Sequence, residues 1–168
     1  MADLLESDPV SLAQDLVAVD SVSRISSSAV CDVVEHFMER HGFEIERLTY
    51  RDDAGVRKDS VIGKKGSGSR GLAFYSHVDT VPRDEWSTNP HSPVVKNDRL
   101  IGLGSCDMKG PLACTMIAAA HVDASILKKP LVIVATADEE VGGGGAHQVA
   151  EESRIINKVC PPVLNNLV

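Results

Sequence analysis

Apolar positions along the chain switch between two periods. Leu12, Leu16 and Val19 recur at helical spacing behind Asp8-Pro9, where Asp caps a helix and Pro suits its first position. Val30, Val33, Val34, Phe37 and Met38 form a second helical stripe, opened by Ser27 or Ser28 and stopped by Gly42. Residues 43–48 (FEIERL) then alternate with period two, as a strand does. A polar turn at Asp52 to Gly55 leads to a short strand near Ser60 to Gly63. The Gly- and Ser-rich run from Lys64 to Gly71 predicts a hairpin-type loop, because strand character resumes at once in LAFYSH (72–77).

Further on, Pro111 to Asp123 predicts a helix of small residues and LVIVAT (131–136) a buried strand. Gly142 to Gly145 predicts a tight turn, and Ala146 to Ile155 a last helix. Strands alternating with helices point to the α/β class, with a largely parallel sheet flanked by helices. No internal repeat or heptad is present, and the end from Cys160 to Val168 fits no element. The 168 residues suffice for one domain with a core and are few for two.

Composition narrows the function classes. Hydrophobic residues at 43% and charged residues at 24% are ordinary for a soluble globular chain, and aromatics at 4% leave the core to Val, Ile, Leu and Ala. A formal charge of −7 opposes a nucleic-acid or anionic-membrane surface, which needs clustered Lys and Arg. The first ten residues are acidic where a secretory signal is basic, and the apolar run Leu112 to Val122 is well short of a membrane span. Cys31, Cys106, Cys114 and Cys160 form no C-x-x-C pair, which fits free thiols in a reducing compartment. The expectation is a soluble, cytoplasmic domain with no nucleic-acid and no membrane partner.

Three stretches carry candidate chemistry, each following or ending an apolar strand, where open α/β sheets bind ligands. In SHVDTVP (76–82), His77 and Asp79 flank Val78 and on a strand point to one face, where Asp79 can orient the His77 imidazole behind a metal. GLGSCDMKG (102–110) is a Gly-rich approach to one acid, Asp107. TADEEVGGGG (136–145) sets Glu139 and Glu140 at a strand end.

Each stretch alone is weak. An H-x-D pair is more often a surface pair, an Asp among glycines also suits a turn, and paired Glu residues suit a helix start. The Gly142–Gly145 run resembles a phosphate loop, but G-K-[ST] is absent and the two preceding carboxylates repel phosphate. Together, His, Asp and Glu on separate strand ends supply borderline and hard donors suited to zinc or a similar divalent ion. His36, His41, His91, His121 and His147 belong to none of these stretches and read as structural or solvent-facing, Trp86 as packing beside the site mouth, and Lys109 carries no assigned catalytic role.

The order and local sequence of these stretches resemble the di-zinc amidohydrolase and metallopeptidase family of acetylornithine deacetylase, succinyl-diaminopimelate desuccinylase, aminoacylase and carboxypeptidase G. SHVDTVP, G-x-G-x-x-D-M-K-G and T-A-D-E-E-x-G carry the likeness, which runs from about Val10 to Val159. The resemblance implies a zinc-exopeptidase-like fold and two Zn2+ ions, with Co2+ or Mn2+ as alternatives. It implies that His77 binds one ion, Asp107 bridges both and Glu140 binds the second. Glu139 then acts as general acid/base, Asp79 braces His77, and the Asp107-Met108 peptide is cis. The implied activity is metal-dependent hydrolysis of amide bonds in N-acyl amino acids or small peptides, as in acetylornithine deacetylase.

In that family a later acid, in a G-E-P-like turn, and a histidine near the far C-terminus complete the ligand set, separated by a lid and dimerisation domain. Here the chain ends at Val168 with no acid after Glu152. The expectation is that residues 1–159 are the N-terminal part of the catalytic domain and 160–168 a non-matching tail. The lid and the C-terminal half are then absent, family-type dimerisation through the lid is unavailable, and the chain is weakly active or inactive. The alternative reading is a non-catalytic metal-binding remnant or partner-dependent interaction module.

Overall fold

The computed structural model describes residues 8–84 and 86–159. The first seven residues and the 160–168 tail, Cys160 included, lie outside the described residues. Helix α1 (Pro9–Ala18) starts where Asp8 accepts the Ser11 N–H at 3.0 Å, with Pro at its first turn. It buries Leu12, Ala13, Leu16 and Val17. Helix α2 (Ser28–Arg40) buries Val30, Cys31, Val34 and Met38, and Gly42 leaves it at φ 74°, a backbone conformation suited to glycine.

Strands β1 (Glu44–Arg51) and β2 (Arg57–Lys65) pair antiparallel across a turn in which Asp52 accepts the N–H groups of Ala54 and Val56. Strand β3 (Leu72–His77) and strand β6 (Leu131–Thr136) pair parallel, with His77 opposite Thr136. Between them in sequence come the short hairpin β4 (Val94–Lys96) and β5 (Arg99–Ile101) and helix α3 (Lys109–Ala120). Helices α4 (Gly144–Glu152) and α5 (Arg154–Val159) follow β6. The sheet order is β1-β2-β6-β3, with β2 antiparallel to β6.

The α/β class, the helical flanks and the largely common strand direction are as the sequence pattern implies: β1, β6 and β3 run the same way, and β2 alone runs against them. The five-residue turn after β1 forces that reversal, and because β2 stands between β1 and β6, parallel neighbours in the sheet are left at β3–β6. The run before LAFYSH, however, is not a hairpin loop. β2 extends to Lys65, and β6 lies between β2 and β3. The link instead passes the start of β6, where Gly71 approaches Pro130 so closely that a Cβ would sit 1.9 Å from its carbonyl oxygen.

Every residue of β6 is buried. Leu131, Ile133 and Ala135 face a core built with α1, α2 and α3, including Leu16, Val34, Met38 and Met116. Val132 and Val134 face the other layer, against Val149, Ile155, Ile156 and Val159 of α4 and α5. Burying each such side chain is worth about 1.5–3 kcal/mol, so this strand anchors whatever stands at its end. β3 is an outer strand and leaves Leu72 and Tyr75 more than half exposed. Among the described residues no helix is long and apolar enough to cross a membrane, and Cys31, Cys106 and Cys114 are free.

Candidate metal centre

The parallel pair β3–β6 delivers its two chain ends side by side. β3 ends on His77, and Val78 continues beside β6 by donating its N–H to Thr136 at 2.9 Å. Asp79 lies just past the strand, buried at 2% exposure. β6 runs through Asp138, in the left-handed region at φ 59°, into a single 3-10 turn at Glu139–Val141. Asp107 comes from a different place than a strand of this sheet. It sits in the loop between β5 and α3, folded back by the Lys109 N–H to Gly104 carbonyl bond, and its peptide bond to Met108 is cis.

These elements bring the five candidate residues together. His77 Nε2 lies 3.1 Å from Oδ1 of Asp107 and 3.8 Å from Oε2 of Glu139. One ligand atom each from His77, Glu139 and Glu140 lies within 4.8 Å of the others. His77 Nδ1 lies 3.1 Å from the Asp79 carbonyl oxygen and 3.6 Å from its carboxylate. The nearer partner is thus main chain, which fixes the ring and leaves Nε2 toward the acids. The Asp79 carboxylate accepts the Ser23 hydroxyl at 2.7 Å and the N–H groups of Glu139 and Glu140 at 3.1 and 3.2 Å.

Charge is crowded here. Burial works against protonating His77, but Asp79 and Asp107 outweigh it and raise its pKa to about 9. Burial also opposes ionising Asp79, yet the adjacent His77 ring and its bonds from Ser23 and the two amides hold it below the usual carboxylate range. Burial, then the negative charge of Asp107, Asp79 and Glu139, push Glu140 upward against the pull of His77. Among the described residues neither Asp107, Glu139 nor Glu140 is paired with a Lys or Arg, and the side chains of Asp107 and Glu139 stay 77% and 56% exposed. One imidazole and three carboxylates facing one space with no Lys or Arg paired to the acids among the described residues is a donor set that fits divalent ions such as zinc.

A cleft of about 460 Å³ opens beside the acids, lined by Val81, Trp86, Arg99, Ile101, Asp107 and Glu140. Trp86 stands at the site mouth, as its position in the sequence suggested. Lys109 is fully buried and donates to the Val19 carbonyl at 2.8 Å, and burial lowers its pKa to about 8. His36, His121 and His147 are exposed, while His41 stacks on Phe37 and His91 lies near Asp20; none of these joins the cluster. Sequence reading passed over Ser23, Tyr50, Lys58 and Asp138, which stand directly behind the cluster. Nothing local marks Lys58, which stands between Arg57 and Asp59 just before the strand expected at Ser60 to Gly63.

Residues 73–164 match peptidase family M20/M25/M40. The acetylornithine deacetylase of Myxococcus xanthus is 40% identical over 154 residues, covering 90% of this chain and 40% of that protein. The acetylornithine deacetylase of Proteus mirabilis is 36% identical over 154 residues, covering 87% and 39%. The chain therefore spans about two-fifths of the length of the curated relatives it matches. Human carnosine dipeptidase 1 is similar in fold, with a TM-score of 0.74 at 21% identity, covering 94% of this chain and 38% of that one. A dinuclear metal-binding M20 peptidase of Bacillus subtilis gives 0.59 at 18% identity, covering 90% and 40%.

Proposed function

Because the chain belongs to peptidase family M20/M25/M40, we propose that it forms the N-terminal, metal-holding part of an enzyme that hydrolyses amide bonds. The substrate class is N-acyl amino acids, in the manner of the acetylornithine deacetylases it is similar to, with small peptides as the alternative. The observation that carries this reading is the convergence of His77, Glu139 and Glu140 at the ends of β3 and β6 with Asp107 from the loop before α3.

The donor chemistry fits divalent ions such as zinc, which His77, Asp107 and Glu140 would hold. When bound, such ions polarise the substrate carbonyl and make water nucleophilic at neutral pH. The chain's own residues supply the rest. Glu139 stays free of the ions, more exposed than His77, and takes the proton of the attacking water on its carboxylate before passing it to the leaving nitrogen. Asp79 fixes the ring of His77 and the amides of the turn carrying both glutamates. The cleft beside Trp86, Val81 and Ile101 gives an apolar wall for the acyl or side-chain portion of a small substrate.

Calorimetric zinc titration of the parent, Asp107→Ala and Glu139→Gln separates these roles. Asp107→Ala is expected to abolish binding and Glu139→Gln to leave it within a few-fold, with hydrolysis of an N-acetyl amino acid lost in both. Zinc binding that survives Asp107→Ala unchanged would remove Asp107 from the centre. Zinc binding without turnover in the parent would favour a metal-binding module over a self-sufficient enzyme.

A further inference from the structure

Lys58 is fully buried on β2, yet it belongs to none of the stretches that carry the proposed chemistry. Its ammonium donates to the carbonyl of Ser23, to the carbonyl of Ile25 at 3.1 Å and to Oδ1 of Asp138 at 2.8 Å. Three donors thus meet three acceptors, which is what a buried ammonium requires. The other oxygen of Asp138 accepts the Tyr50 hydroxyl at 2.7 Å. Tyr50 lies against Gly144, where a Cβ would come within 2.5 Å of the phenol oxygen.

The two ends of this bridge are the two supports of the candidate metal centre. Ser23 donates its hydroxyl to Asp79 and its N–H to the Thr80 carbonyl, so its loop holds the segment behind His77. Asp138 immediately precedes Glu139 and Glu140 and holds a left-handed backbone conformation, φ 59° and ψ 31°, that a residue with a side chain adopts at a cost of about 1 kcal/mol or more. With both carboxylate oxygens held, that conformation is fixed, and so is the direction in which the next two residues leave the strand.

We propose that Lys58, with Tyr50, is a positioning residue. It locks Asp138 to the Ser23 loop and so sets the spacing between His77 and the Glu139-Glu140 pair. The inference rests on the metal-centre reading above. Residues that orient ligands from behind typically change metal affinity by about 10–100-fold when removed.

The test uses the full chain with Lys58→Met and Tyr50→Phe. Zn2+ affinity is measured by calorimetry, the d–d absorption spectrum of the Co2+-loaded chain reports ligand geometry, and thermal unfolding checks the fold. Tyr50→Phe removes one of the two Asp138 contacts and is expected to fold, to weaken Zn2+ binding about tenfold and to alter the Co2+ spectrum. Lys58→Met is expected to show the larger loss, and if it does not fold, Tyr50→Phe decides alone. A folded variant with affinity within twofold of the parent and an unchanged Co2+ spectrum overturns the positioning role while leaving the metal centre intact. A parent chain that binds neither ion overturns the metal centre, and the positioning role with it.

Discussion

Asp79 and Glu140 are joined by a hydrogen bond of 3.2 Å from the Glu140 N–H to the Asp79 carboxylate. The bond crosses between the chain leaving β3 and the chain leaving β6. Asp79 also accepts the Glu139 N–H and the Ser23 hydroxyl. Its carboxylate therefore spends its lone pairs on the scaffold of the opposite turn, while its backbone carbonyl serves His77. One residue fixes both sides of the centre.

Asp79→Asn tests this directly. The amide keeps the shape but presents N–H where an acceptor is needed, so at least one of the three donors loses its partner. Stability is expected to fall by about 1–3 kcal/mol, and Zn2+ affinity by about 10–100-fold. Thermal melts and calorimetry on the same preparation read both. A variant that melts like the parent and binds zinc equally well would contradict the bracing role.

Metal affinity is expected to rise with pH up to about 9 and then level. His77 offers Nε2 to an ion only when neutral, and in the metal-free chain its pKa is raised to about 9. The same shift has a stability signature of defined sign. The folded value lies above the ordinary 6.5, so this contribution is complete below pH 6.5 and is lost as pH rises through about 9. Zn2+ titrations at pH 6, 7.5 and 9 check the first statement, with proton release seen as a buffer-dependent heat. A flat affinity across that range would mean that His77 is not a ligand.

The proximity of the candidate residues was legible in the sequence for particular reasons. LAFYSH and LVIVAT are short apolar runs bounded by turn signals, and β3 and β6 match them residue for residue. His77, Asp107, Glu139 and Glu140 stood out because motif spacing fixes them locally. Lys58, Tyr50 and Asp138 did not, because their meeting depends on β2 pairing with β6, a contact between residues some eighty positions apart. The β4–β5 hairpin escaped notice because each strand is three residues long and largely exposed, so neither period had room to appear.

The acid sensitivity of the fold is expected to centre on Asp59. It is fully buried on β2 and accepts from Arg47, Thr49, Ser28 and Arg57. Burial alone would raise its pKa, but these bonds hold it well below the usual carboxylate range. Its stabilising contribution is therefore complete above the ordinary value of 3.8 and is lost as pH falls below it. Asp59→Ala should cost about 3 kcal/mol at neutral pH, the lower end for breaking a buried pair, because Arg47 keeps Asp32 and Glu35 as partners. It should also flatten the acid side of a melting-temperature profile taken from pH 7 to 2. An acid limb as steep as the parent's would place the sensitivity elsewhere.

Gly145 is a packing requirement of the centre. The first turn of α4 lies so close to β6 that a Cβ there would meet the Ala137 oxygen at 2.5 Å and nitrogen at 2.7 Å. Gly145→Ala must push α4 away from the strand that carries Glu139 and Glu140. The expected loss is about 1–3 kcal/mol, as for other overpacked sites, and urea unfolding measures it. Neutral behaviour would mean that α4 shifts freely and does not hold the turn.

The most consequential expectation concerns how many ions the 168-residue chain holds and what it then does. A catalytic zinc keeps about three protein ligands, so two ions sharing one carboxylate need about five in all. Among the described residues the cluster brings His77, Glu139 and Glu140 within 4.8 Å of one another, with Asp107 3.1 Å from His77; with Glu139 kept for proton transfer as proposed, three ligands remain. One zinc should therefore bind with useful affinity and a second only weakly. Turnover of N-acetylornithine by the purified chain is accordingly expected to be slight, and Glu139→Gln should remove what there is without loosening the bound ion. Metal analysis after gel filtration gives the stoichiometry, and a sensitive assay of released acetate gives the rate. Two tightly held zinc ions together with rapid turnover would show that these four residues and their supports make a complete centre on their own.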